Sequence, residues 1–147
     1  MARPTLALVQ ALRTTAARLQ DGAAYRWSHF AQCNCGNLVQ TITTLSPKEI
    51  YEAAFQRSGD WGEQAEEFCT TSGYPIDFVI GKMLELGMTR EDVRHLERLS
   101  DPDVCRRAPR TLRHNRREDV VTYMQVWADL LEEGLAPAER PLPLAAE

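Results

Sequence analysis

The sequence predicts an all-α fold, a single compact domain of about six or seven helices. Three observations carry that reading. Apolar residues recur at three- and four-residue spacing along most of the 147 residues. Capping residues stand where those stretches begin, and no segment alternates apolar and polar residues between turns as a half-buried strand would.

Taken in order, Leu8, Leu12, Ala16 and Leu19 share one face of a first helix that ends at Asp21 and Gly22. In "LSPKEIYEAAF", Ser46 is an N-cap, Pro47 takes the first helical position and Glu49 completes a capping box. "DWGEQAEEFCTTSG" starts at Asp60 and runs toward Gly73, with Trp61, Ala65, Phe68 and Cys69 inward. "YPIDFVIGKMLELG" places Ile76, Val79, Ile80, Met83 and Leu84 at helical spacing and stops at Gly87. "MTREDVRHLERLS" restarts at Thr89 with Val93, Leu96 and Leu99 inward, so these two helices should form a hairpin. The last strong helix follows Asn115, read as its cap, with Val120, Met124, Trp127 and Leu131 as its inner stripe. Residues 1–134 thus form the helical domain, and 135–147, rich in proline, read as a disordered tail.

Composition bounds the function. At 44% hydrophobic and 26% charged residues, the chain matches neither a disordered nor a membrane protein. Arg3, Gln10, Arg13 and Arg18 interrupt the apolar character of the opening, so the chain reads as cytoplasmic. In a reducing compartment its four cysteines are expected as thiols or metal ligands rather than disulfides.

Two of those cysteines sit in "HFAQCNCGNLVQ". If "YRWSHFAQC" is helical, His29 and Cys33 share a face, and Gly36 ends that helix so that Cys35 can turn back toward the same point. Asn37 with Gln40 then caps the helix that follows. A histidine and two thiols suit zinc, with a fourth ligand from Cys69, Cys105, His95, His114 or water; copper(I) or iron is chemically open as well. The metal-site expectation is therefore His29, Cys33 and Cys35, in a small non-catalytic binding protein.

"NCGNLVQ" also resembles the cysteine-bearing helix start of NlpC/P60-type cell-wall peptidases, with Asn34 and Gly36 where that pattern has aspartate and serine. The resemblance implies a cysteine-dependent hydrolase with Cys35 as nucleophile and His95 or His114 as its base.

Charge is unevenly placed. The chain carries −4 overall, yet Arg90 to Arg117 holds nine arginines against five acids. Arg106, Arg107, Arg110, Arg113, Arg116 and Arg117 form the alternative site, a basic face for nucleic acid or a phosphorylated ligand, against which stands pairing with the domain's own acids. A protein partner or a second copy is open. No P-loop, dinucleotide-binding glycine pattern, EF-hand loop or His-Glu-x-x-His motif occurs.

Overall fold

A computed structural model describes residues 1–139, and among them there are eight α-helices, one 3-10 turn and no strand. The fold is all-helical, as the sequence predicts. The helices are α1 (Leu6–Gln20), α2 (Asn34–Ile42), α3 (Pro47–Ala54), α4 (Trp61–Glu66), α5 (Pro75–Glu85), α6 (Arg90–Arg98), α7 (Pro102–Arg107) and α8 (Arg117–Glu133).

The long helices α1 and α8 lie antiparallel. Arg117 at the start of α8 donates to the carbonyls of Leu19 and Ala23 at the end of α1, at 2.8 and 2.5 Å. Nearer the other end, Arg13 meets Asp129 at 2.9 Å and pairs with Glu132. Leu8, Leu12 and Leu19 of α1 and Val120, Met124 and Trp127 of α8 are buried in one core, each large apolar side chain contributing about 1.5–3 kcal/mol by leaving water. α2 is the central element. It touches α1, α3, α5 and α6, and its residues from Asn34 to Val39 are buried without interruption.

The capping boxes at Ser46 and Asp60 form, and Thr89 makes a third with Asp92. α6 packs chiefly on α4 rather than forming the expected hairpin with α5. Gly62 permits this approach, since a Cβ there would stand 3.1 Å from Arg94 Cβ. α4 ends at Glu66, well before Gly73, because Ser72 bonds Asp77 and Gly73 takes a φ of +77° in a turn. Cys69 is consequently exposed, not core. The arginine-rich stretch from Arg90 to Arg117 contains α7, started by Asp101 and Pro102. α8 has no side-chain cap at Asn115; instead Asp119 accepts from the Arg113 amide at 2.9 Å. Leu135, placed in the tail by the sequence, is 3% exposed and packs in the core, and Pro137–Glu139 form the 3-10 turn. The rest of the expected tail lies outside the described residues. No helix among those described is long and apolar enough to cross a membrane.

Candidate functional site

The cysteine segment is a helix start, not the junction of two helices. Residues 27–32 form turns, and Cys33 is the N-cap of α2, its sulfur accepting from the Gly36 amide at 3.4 Å. Gly36 therefore lies inside the first turn of α2 and terminates nothing. It is glycine for a packing reason: a Cβ there would lie 2.1 Å from the Phe30 carbonyl oxygen and 2.5 Å from the Ala31 carbonyl carbon. Asn37 and Gln40 are not a cap pair. The Asn37 amide donates to the carbonyls of Gln32 and Cys33, and Gln40 donates to Ala31, so both hold the preceding turns against α2.

Helices α2 and α6 cap each other. The first amides of a helix and its last carbonyls have no partners within it. Glu97, near the end of α6, accepts from the Cys35 amide through Oε1 at 2.8 Å. In return Asn34 Nδ2, at the start of α2, reaches the carbonyls of Leu96, Glu97 and His114 at 3.0–3.1 Å. Tyr25 Oη lies 2.7 Å from Asn34 Oδ1 and fixes that amide's orientation.

The two thiols close around the same carboxylate. Cys33 Sγ lies 3.2 Å from Glu97 Oε1, and Cys35 Sγ donates to the Val93 carbonyl at 3.3 Å. Burial drives both thiols well above their ordinary range, and the neighbouring Glu97 charge pushes the same way. Burial also raises Glu97, against the lowering influence of the Cys35 amide and the two thiols. Glu97 is 6% exposed. Its second oxygen, Oε2, makes no hydrogen bond among the described residues, yet it is not one of the sealed, unpartnered atoms.

Glu97 also lines a pocket of about 260 Å³, together with Trp27, Phe30, Trp61, Cys33, Asp60 and Arg98 among others. Three aromatic rings supply its walls. Trp61 is buried and donates through Nε1 to the Phe30 carbonyl at 3.0 Å, while Phe30 meets Trp61 edge-on. Arg98 lies over the Trp27 ring, 5.6 Å from its centroid, and reaches Asp60 at 3.5 Å.

The residues expected to hold a metal are not drawn together. Among the described residues, no three His, Cys, Asp or Glu side chains form a group that could hold a metal ion. His29 Nδ1 accepts from the Ala31 amide at 3.1 Å, and its ring stacks on Tyr51 with centroids 4.5 Å apart. The Cys33 amide does bond the His29 carbonyl at 2.9 Å, closing one turn, but the stretch does not continue as a helix, and the two side chains have different partners. Cys69 and Cys105 are exposed. His95 Nδ1 bonds Ser100 at 2.8 Å, and the His114 ring lies 4.4 Å from that of Trp27. Cys35, enclosed and bonded to a carbonyl, has neither histidine as a hydrogen-bond partner.

The arginine stretch is largely answered from within. Arg106 pairs with Asp103, Arg107 with Glu133 at 2.8 Å, Arg110 with Asp119 at 2.6 Å and Arg116 with Glu118 at 3.7 Å. Arg117 is committed to the end of α1. Of the six, Arg113 alone makes no side-chain hydrogen bond or ion pair among the described residues.

No protein-family model, curated protein or solved structure matches this chain, so fold and site are read from its own residues. Sequence reasoning missed Glu97, Asp60 and Arg98 as a group, together with Trp27, which is half-buried. One signal pointed to Glu97. It stands four residues after Val93 and next to Leu96, and thus on the inward face of α6, where an acid is out of pattern.

Proposed function

We propose that this chain is a small, non-catalytic binding protein whose site is the pocket at the mutual cap of α2 and α6. The observation that carries the reading is Glu97: a buried carboxylate, one oxygen of which caps α2, on a residue that lines an aromatic-walled cavity. Concave pockets with apolar walls and a few convergent polar groups are where small ligands bind. A carboxylate kept in such a place without a cation disfavours folding, which makes sense when the group serves a ligand. The raised thiols argue for binding over nucleophilic chemistry, because the thiolate is the nucleophile. Four free thiols suit a reducing compartment, consistent with a cytoplasmic protein.

Native mass spectrometry with elemental analysis, on protein purified without chelator, tests this. The pocket reading expects an organic adduct that disappears in Glu97→Gln. One zinc per chain, lost when Cys33 and Cys35 become serine, would establish the His29, Cys33 and Cys35 metal site in its place.

A further inference from the structure

We propose that the ligand of this pocket is a small organic cation, an alkylammonium or alkylguanidinium, whose charged head pairs with the Glu97 carboxylate in the pocket that Trp27, Phe30 and Trp61 also line. The inference rests on the reading of the pocket as a binding site and adds the chemistry of its occupant.

Three independent features of the lining select a cation. The first is charge. Two carboxylates, Asp60 and Glu97, face one guanidinium, Arg98, so with Glu97 ionised the lining is one positive charge short of neutrality. The second is the walls. Aromatic faces attract cations through their quadrupole, most strongly where water is excluded, and this pocket has two tryptophans and a phenylalanine. The third is that the rim already holds such a group: the Arg98 guanidinium sits over Trp27 and reaches Asp60, the same combination of ring and carboxylate offered deeper in. Arg98 cannot itself complete Glu97, since its side chain is 53% exposed and it is Asp60 that it reaches.

The other buried acids show what an answered carboxylate looks like in this protein. Asp77 is gripped by both terminal nitrogens of Arg57 at 2.8 and 2.7 Å, and Asp119 by Arg110. By contrast, Asp92 caps α6 through Oδ2 while its Oδ1 is buried without a hydrogen bond, the chain's amino group standing 3.9 Å away, and Asp101 caps α7 through one oxygen, which accepts from the amides of Asp103 and Val104. Glu97 differs from all of these in lining an aromatic-walled pocket.

Cation binding favours ionised Glu97, so binding should release a proton and tighten as pH rises above the ordinary carboxylate range. The other groups facing Glu97 are Cys33 and Cys35 from α2, Tyr25 from the preceding loop, Asp60 at the start of α4 and Arg98 on α6. The thiols and the Tyr25 phenol are pushed upward, chiefly by burial, and stay neutral across that window. Asp60→Asn separates the contribution of Asp60, because asparagine also caps a helix.

The test uses four probes that each carry a four-carbon chain, counting the carbonyl carbon: n-butylammonium, n-butylguanidinium, butyramide and butyrate. Each is titrated into the full chain while tryptophan fluorescence is followed, since Trp27 and Trp61 line the pocket. The proposal expects the two cations to bind, with affinity reduced about tenfold or more in Glu97→Gln, as loss of one charge-assisted contact implies. It expects a smaller reduction in Asp60→Asn and tighter binding at pH 8 than at pH 5. Preference for butyramide or butyrate would overturn the cation assignment while leaving the pocket as a binding site. Cation binding that is unchanged in a folded Glu97→Gln variant would place the cation elsewhere and overturn the proposal. No response to any probe, with no adduct in the native mass spectrum, would overturn both this inference and the binding-site reading.

Discussion

Asp119 in the arginine-rich region and Glu97 at the mutual cap are both buried carboxylates, but their surroundings treat charge in opposite ways. Burial alone would raise Asp119, yet the Arg113 amide and the Arg110 guanidinium hold it below the ordinary aspartate range. Glu97 receives an amide and thiol contacts but no guanidinium, and burial prevails in raising it. The difference shows which region has charge to spare. The basic stretch, despite its surplus of arginine, is mostly neutralised within the fold, whereas the carboxylate that α6 sets against the cysteine segment meets an amide and thiols and no guanidinium.

The largest expected effect comes from making an answered carboxylate resemble Glu97. Arg57→Met strips the guanidinium from Asp77, which is itself 5% exposed, and should cost about 3–5 kcal/mol in urea unfolding. A loss under about 1 kcal/mol would mean that buried acids in this fold need no internal cation, and the contrast with Glu97 would dissolve. On the other side of the comparison, Gly36→Ala drives a methyl group into the Phe30 carbonyl and should destabilise by about 3 kcal/mol. A smaller loss would show that the turn before α2 can move, and with it the pocket wall.

Asp119→Asn should lose about 1–2 kcal/mol at neutral pH, because a depressed carboxylate contributes stability that is present above its unfolded pKa and lost as pH falls through the folded value. Its stability curve against pH should therefore converge with that of the parent in acid. The smallest effect belongs to Arg106→Ala and Arg107→Ala, whose exposed ion pairs should each change stability by no more than about 0.5 kcal/mol. Salt-sensitive binding of an oligonucleotide that falls in these variants would restore the basic face as a site.

Much of the fold was legible because it follows from local rules. Ser46 and Asp60 cap as their spacing to Glu49 and Glu63 requires, and the inner stripe of α8 is the one its periodicity marks. The site was legible only as a location. "CNCG" marked a special place, but the geometry there depends on Glu97, more than sixty residues further along the chain, and no local pattern announces that two helices will cap each other. The metal expectation required a helix through His29 and Cys33; the turns held by Asn37 and Gln40 replace it, a choice made by side-chain hydrogen bonds to backbone carbonyls rather than by apolar periodicity. Charge counting likewise identified the arginine surplus and could not show that Glu118, Asp119 and Glu133 on α8 take up three of its members.

Glu97 stands as a buried carboxylate without an internal cation, and the proposed function gives it a role other than stability. The most direct test of that claim is the unfolding free energy of the parent and of Glu97→Gln from pH 4 to pH 8. A raised folded-state pKa means that the native chain holds the proton more tightly than the unfolded chain, so Glu97 supports stability in acid and that support is lost as pH rises through the folded value. Glutamine keeps an acceptor for the Cys35 amide and removes the titration. The account predicts that Glu97→Gln gains on the parent as pH rises and equals or exceeds it at pH 8. A variant that is less stable by several kcal/mol at every pH would show that Glu97 is a structural cap and contradict the claim.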